Sequence, residues 1–239
     1  MRITMNNSDM ERYLRIAEHI KDEVKIPYSE FKQLNTEIIV PLDFKIDLKQ
    51  FHTDIEKYKE NFKRWGEKHQ EYPRFGIPLV NISGKIDEEI DPSCYPLDQW
   101  AEKYPDSVYW DNDFTNHTEL MQMPSLDVLA PLKDHMLRSN ILLWNKDGHF
   151  LPHFDMHPDY ITHYRLWGVN TDDTGYSLEY GDTIIRDWEP GRLYLIDTTL
   201  IHSAKALIDN VYTFFISVDL AAKEVLEKSK KYREYYNAI

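Results

Sequence analysis

His153-Phe154-Asp155 and, further along the same stretch, His202 supply two imidazoles and one carboxylate. On Fe(II) such a set occupies one face of an octahedron and leaves about three positions open, as an oxygen-activating centre requires. With Phe154 in mid-strand, alternation would put His153 and Asp155 on one face, and a later antiparallel strand would carry His202 to the same point. These three are therefore the candidate metal ligands and the candidate catalytic set. An isolated H-x-D arises often by chance, and each histidine alone is equally explained as a hydrogen-bonded or surface residue. The same ligand types also suit manganese or zinc. His157 would share the ligand face if the strand continued, but Pro158-Asp159 breaks it, so His157 is expected in a substrate contact or a solvated loop. His163 can share a face with Arg165 and Trp167.

The elements that must position these residues begin near Ser139. From there short apolar segments alternate with turn signals, at 139–145, 150–155, 161–169, 176–179, 183–187, 192–197, 200–205 and 211–219. Lys146-Asp147-Gly148, Asp173-Thr174-Gly175, Tyr180-Gly181-Asp182 and Glu189-Pro190-Gly191 supply the turns between them. Eight such strands predict a mainly β protein with flanking helices, a double-stranded β-helix of the jelly-roll, cupin-like kind. Upstream, periodicity predicts helices at 9–24, 47–69 and 124–138, and strands at 36–42 and 77–83. The stripe Phe51, Ile55, Tyr58, Phe62 and Trp65 belongs to the second helix. Residues 85–123, rich in Asp, Pro and Tyr, read as a loop that could close over a pocket. The expected organisation is a mixed helical and strand part at 1–138, the β-helix core at 139–219 and a C-terminal helix at 220–239, all in one structural domain.

His153-Phe154-Asp155, Tyr164-Arg165-Leu166-Trp167, the run from Glu189-Pro190-Gly191 to Asp197, and Ile201-His202-Ser203-Ala204 together resemble the Fe(II)- and 2-oxoglutarate-dependent oxygenases. The resemblance is to the aspartyl/asparaginyl β-hydroxylase superfamily, which includes bacterial L-proline 3-hydroxylase, and it covers roughly 139–219. It implies Fe(II) held by His153, Asp155 and His202, 2-oxoglutarate as co-substrate, dioxygen as oxidant, and hydroxylation of a small amino-acid-like molecule or of a protein side chain. The keto acid's distal carboxylate needs a cation, because a buried unpaired carboxylate is costly. The family usually places an arginine about ten residues past the distal histidine, where this chain has Tyr212. Arg165 is the first substitute, from the strand after the H-x-D; Lys205 and the Tyr212 hydroxyl are the others. Arg138, Arg186 and Arg192 also carry charge that nothing in the sequence orients. Trp167 stands where the β-hydroxylases carry a histidine; Asn140 and Trp144, on the strand before the ligand strand, could line the pocket, with core packing the stronger reading for Trp144.

Composition narrows the setting. The 239 residues contain 8 Gly, 12 Pro and 13 % aromatics, which suits a packed globule rather than a low-complexity chain. A net charge of −13 with no basic stripe argues against a nucleic-acid partner. No apolar run approaches the ~20 residues of a membrane span, and the first residues lack a signal-peptide core. One cysteine, Cys94, allows no internal disulfide, so a cytoplasmic, reducing setting is expected. Two other classes stay open: a cupin-like metal enzyme that uses no keto acid, and a non-catalytic binding module with a vestigial metal site.

Overall fold

The computed structural model describes residues 18–65, 74–89, 91–159 and 161–230. Much of the expected helix at 9–24 and the end of the one at 220–239 lie outside these residues. Two antiparallel sheets face each other. Eight strands between Met136 and Asp219 build their centre: β5 (Met136–Trp144), β6 (His149–His153), β7 (His163–Val169), β8 (Tyr176–Tyr180), β9 (Thr183–Ile185), β10 (Arg192–Ile196), β11 (His202–Ala206) and β12 (Val211–Asp219). The larger sheet holds β10-β7-β12-β5 side by side and the smaller one runs β6-β11-β8-β9. Following the chain, β5, β7, β10 and β12 fall in one sheet and β6, β8, β9 and β11 in the other. This is the winding of a jelly roll, and the fold is the expected double-stranded β-helix.

The larger sheet also takes in strands from before residue 139. β1 (Ile39–Lys45) pairs with β10, and β3 (Arg74–Asn81) pairs with β5. Two short strands, β2 (Lys63–Arg64) and β4 (Asn116–His117), add to β3. These additions cover the backbone edges that β5 and β10 would otherwise leave unpaired.

Helices close the outer face of the larger sheet. α1 (Tyr28–Leu34), α2 (Leu48–Ile55) and α4 (Lys223–Ser229) contribute Phe31, Leu34, Phe51, Ile55 and Leu226. These pack in one cluster with Ile141, Leu166, Leu195, Phe214 and Ile216 of the strands. Each fully buried side chain of this size contributes roughly 1.5–3 kcal/mol. β12 is buried on both faces, because Tyr212, Phe214 and Ile216 meet the helices while Thr213, Phe215 and Ser217 face the other sheet.

Two expected helices take another form. α2, capped by the Asp47 side chain accepting from Gln50 N–H, gives way at Glu56 to a 3₁₀ turn and then to β2. Trp65 therefore leaves the expected stripe and enters the cluster between the sheets. The segment Pro124–His135 is 3₁₀ rather than α-helical, with Pro131 inside it; proline supplies no N–H for a regular i→i−4 ladder. The segment 85–123 carries a third short helix, α3 (Leu97–Lys103), between turns.

Candidate metal centre and its cavity

His153 and His202 are direct cross-strand partners on β6 and β11, which sets their rings 4.6 Å apart. Asp155 reaches them by a different route from the one strand alternation suggests. β6 ends at His153, and a bend held by Asp155 N–H donating to Thr198 C=O turns the carboxylate back. Asp155 Oδ1 then lies 3.3 Å from His153 Nε2. One donor atom from each of His153, Asp155 and His202 falls within 4.8 Å of the others, close to what three donors about 2.1 Å from one ion require.

Hydrogen bonding settles which ring nitrogens are available. Nδ1 of His153 is 2.6 Å from Leu151 C=O and Nδ1 of His202 is 2.9 Å from Leu200 C=O. A carbonyl accepts only, so each Nδ1 carries the proton and each Nε2 keeps its lone pair for a metal. Burial opposes charge on His202 and lowers its pKa. Burial also favours the neutral acid form of Asp155, but the Arg165 guanidinium and His153 outweigh it and hold the carboxyl well below its ordinary range. Burial likewise opposes charge on His153, but the Asp155 carboxylate beside it outweighs burial and raises its pKa, so a bound ion would replace a proton held between the two. The donor set is two imidazoles and one carboxylate, which fits Fe(II) or a similar divalent ion.

Behind the triad lies a buried polar cluster. Arg165 Nε is 3.5 Å from Asp155 Oδ2, and Arg165 Nη1 is 3.2 Å from Asp111 Oδ1. The same Nη1 donates to Ser217 Oγ at 2.6 Å, and Ser217 Oγ donates to Asp111 at 2.7 Å. Arg165 Nη2 lies 3.2 Å from His163 Nε2, so that nitrogen accepts and the ring is neutral. Burial, with Arg165 assisting and Asp111 opposing, lowers the His163 pKa to about 4. Asp111 itself stays ionised, because the charge on Arg165 offsets the cost of burial.

The triad opens onto a cavity of about 230 Å³ between the sheets, lined by Arg74, Trp167, Phe150, Phe215 and Leu178 among others. Given ~30 Å³ per water molecule, this is room for a small organic molecule. Leu151, Pro152, Phe154, Pro96 and Leu97 form an apolar rim.

Of the other residues singled out in the sequence, Arg165 and Trp167 line the cavity, while three do not. Tyr212 projects from the opposite face of β12, against Phe51 and Phe62. Lys205 projects outward from β11 and pairs with Asp147 at 2.8 Å. Asn140 sits on the inner side of β5, but its amide is engaged, donating to Ser93 C=O and accepting from the Cys94 thiol. Trp144 is fully buried in the inter-sheet core. Arg138 also lines the cavity, with its guanidinium donating to Ser93 and Tyr95 carbonyls, whereas Arg192 pairs with Glu189. His157 lies in the turn beyond Asp155, beside Asp159. Sequence reasoning missed Asp111 and Arg74; neither lies in a local motif, and only tertiary pairing brings them to the cavity.

No family profile and no curated protein sequence matches this chain. Among solved structures, it is similar to a prolyl hydroxylase from Trichoplax adhaerens in complex with a hypoxia inducible factor peptide fragment, at 13 % identity and a TM-score of 0.42, covering 93 % of this chain and 97 % of that one. A Pseudomonas putida prolyl-4-hydroxylase aligns at 11 % identity and a TM-score of 0.42, over 80 % of this chain and 97 % of that one. KdgF from Halomonas sp. aligns at 17 % identity and a TM-score of 0.27, over 36 % of this chain and 73 % of that one. No helix among the described residues is long and apolar enough to cross a membrane.

Proposed function

We propose that this protein is a non-haem Fe(II)- and 2-oxoglutarate-dependent oxygenase that hydroxylates a small, amino-acid-like substrate. The observation that carries the reading is the convergence of His153, Asp155 and His202 within 4.8 Å at the mouth of an inter-sheet cavity. When bound, Fe(II) with the keto acid supplies the oxidising power to insert one atom of dioxygen into a substrate C–H bond, the keto acid leaving as succinate and carbon dioxide. The chain's own contribution is placement. The Leu151 and Leu200 carbonyls aim both imidazoles. Arg165 fixes one oxygen of Asp155 and leaves the other toward His153. The apolar rim of Leu151, Pro152, Phe154 and Leu97 keeps water away from the reacting carbon. An aspartate at position 155 fills the position a halide would need, which favours hydroxylation over halogenation.

A second reading, a metal enzyme that uses no keto acid, is favoured by one observation. Arg165, the first substitute for the missing family arginine, already faces Asp111 and Asp155. One anaerobic titration separates the two. Fe(II) is added to the metal-free protein, followed by 2-oxoglutarate. The oxygenase reading expects stoichiometric iron and a weak visible charge-transfer band on adding keto acid, both lost in H153A/D155A. Bound iron with no band at any keto-acid concentration leaves the second reading. Iron affinity unchanged by H153A/D155A overturns both.

A further inference from the structure

Arg74 is the unexplained charge of the cavity. It opens β3 opposite Trp144 and is 2 % exposed. Its guanidinium carbon lies 3.8 Å from the centre of the Phe150 ring and 5.7 Å from that of Trp144. Both Nε and Nη1 are buried without a hydrogen-bond partner. The other two buried arginines that line this cavity have partners: Arg165 pairs with Asp111 and Asp155 and donates to Ser217, although its Nε makes no hydrogen bond, and Arg138 donates to two main-chain carbonyls. Among the described residues, nothing comparable faces Arg74. Burial lowers its pKa to about 10, opposed by Tyr176 and by no carboxylate among the described residues.

Its neighbours share the same deficit. Trp167 lines the cavity, and its indole N–H and the hydroxyl of Tyr176, stacked on it at 6.1 Å, have no well-formed hydrogen bond to any other group, with only a weak approach of the indole N–H to the phenol oxygen between them. Tyr176 also packs on Trp144, the ring that Arg74 covers. Trp144, by contrast, spends its own N–H on Thr213. A guanidinium, an indole N–H and a phenol O–H therefore gather in an apolar surround, with the phenol oxygen, toward which the indole N–H is directed, as the one acceptor among them. A buried charge without a partner is costly, and a donor-rich set around a guanidinium suits a small anion, for which guanidinium geometry matches carboxylate.

We propose that Arg74, with Trp167 and Tyr176, forms the carboxylate-binding pocket of the cavity, anchoring the acid group of a small organic acid. The site stands on the orphaned donors alone; only the choice between co-substrate and substrate as the source of that carboxylate rests on the oxygenase reading. In either case the anchor comes from β3, outside the segment 139–219 that carries the family resemblance.

The test compares wild type with R74M, which keeps an apolar stem of similar length, and R74K, which keeps the charge. Calorimetry follows binding of 2-oxoglutarate and of 2-oxopentanoate, its counterpart without the distal carboxylate, with Fe(II) under anaerobic conditions and again in metal-free protein. A parallel arm uses a panel of L-amino acids and their amides. R74M is expected to weaken one acid by about 30-fold or more, to leave the partner lacking that carboxylate unaffected, and to be partly rescued in R74K. Dependence in the 2-oxoglutarate arm assigns the pocket to the co-substrate. Dependence only in the amino-acid arm assigns it to the substrate. Arg74-dependent binding that persists where no iron binds supports the pocket while removing the oxygenase reading. R74M should also be at least as resistant to thermal unfolding as wild type, since it relieves an uncompensated charge; a purely structural arginine would give the reverse. Folded R74M that binds every probe as wild type does, or the absence of any acid whose binding depends on Arg74, overturns the proposal.

Discussion

Asp111→Asn isolates what the buried cluster behind the triad contributes. Asp111 is 3 % exposed and Arg165 1 % exposed, so their 3.2 Å pairing is screened little by solvent. Asparagine keeps the size of the side chain and its capacity to accept from Ser217, and removes only the charge. Arg165 is then left with a single carboxylate, Asp155, at 3.5 Å. Breaking a buried pair from one side costs about 3–5 kcal/mol, because the remaining charge stays desolvated. At roughly 2–4 °C per kcal/mol for a chain of this length, the melting temperature should fall by about 10 °C. A second effect should accompany it. Arg165 turns more fully to Asp155 and competes with the metal, lowering divalent-ion affinity by about 10–100-fold, as changes behind metal ligands commonly do. Urea unfolding of metal-free protein gives the first quantity and calorimetric titration with Zn(II) or anaerobic Fe(II) the second. A double-mutant cycle with R165M then separates charge from packing. With no guanidinium left to strand, D111N/R165M should lose clearly less than the two single losses added. A loss below about 1 kcal/mol for D111N, or the same loss in the R165M background, would refute this account of the cluster.

Two further outcomes follow from single residues. His163 has its pKa lowered to about 4 by burial from its ordinary value of 6.5, so the unfolded chain binds the proton first; its stabilising contribution is complete above pH 6.5 and is lost as pH falls toward 4, at up to about 1.4 kcal/mol per pH unit. Urea midpoints between pH 7 and 4.5 should fall more steeply for wild type than for H163Q, and parallel curves would exclude the role. Gly191 has φ +82°, and a Cβ there would lie 2.6 Å from the Ile46 carbonyl oxygen, whereas Gly181, at φ +57°, has open space. G181A should therefore cost about 1 kcal/mol and G191A clearly more, roughly 2–4 kcal/mol; equal melting temperatures for the two variants would contradict the contact.

The eight strands from Met136 to Asp219 were legible because their divisions are local chemistry: Gly181 and Gly191 both hold positive φ in the turns the sequence marks. The triad was legible in residue identity but not in route, since it is a bend after His153, not strand alternation, that returns Asp155. What escaped depends on partners distant in sequence. β1 and β3 join the larger sheet by pairing with β10 and β5, and nothing in their own residues names those neighbours. A count of ten from His202 lands on Tyr212, but side chains alternate, so the cavity face belongs to Thr213 and Phe215; an offset of one residue exchanges the interior for the helix-covered face. Asp111 sits in an Asp- and Asn-rich stretch that reads as a solvated loop, and its burial is explained by distant partners, chiefly the Arg165 guanidinium with Ser217.

The three buried arginines around the cavity make the same point about charge. Each carries the cation that sequence reasoning sought, yet its environment decides what that cation can do. Arg138, donating to the Ser93 and Tyr95 carbonyls, ties the 91–95 segment to β5. Arg165, facing two carboxylates, orients Asp155, a candidate metal ligand, and has little positive field left for an incoming anion. Arg74, under Phe150 with two nitrogens unpartnered, retains its field in a medium where an ion pair is strongest. A motif search weights Arg165 because it lies beside the H-x-D; the electrostatics favour Arg74, because anion binding depends on how much charge a residue has left after its protein partners are counted.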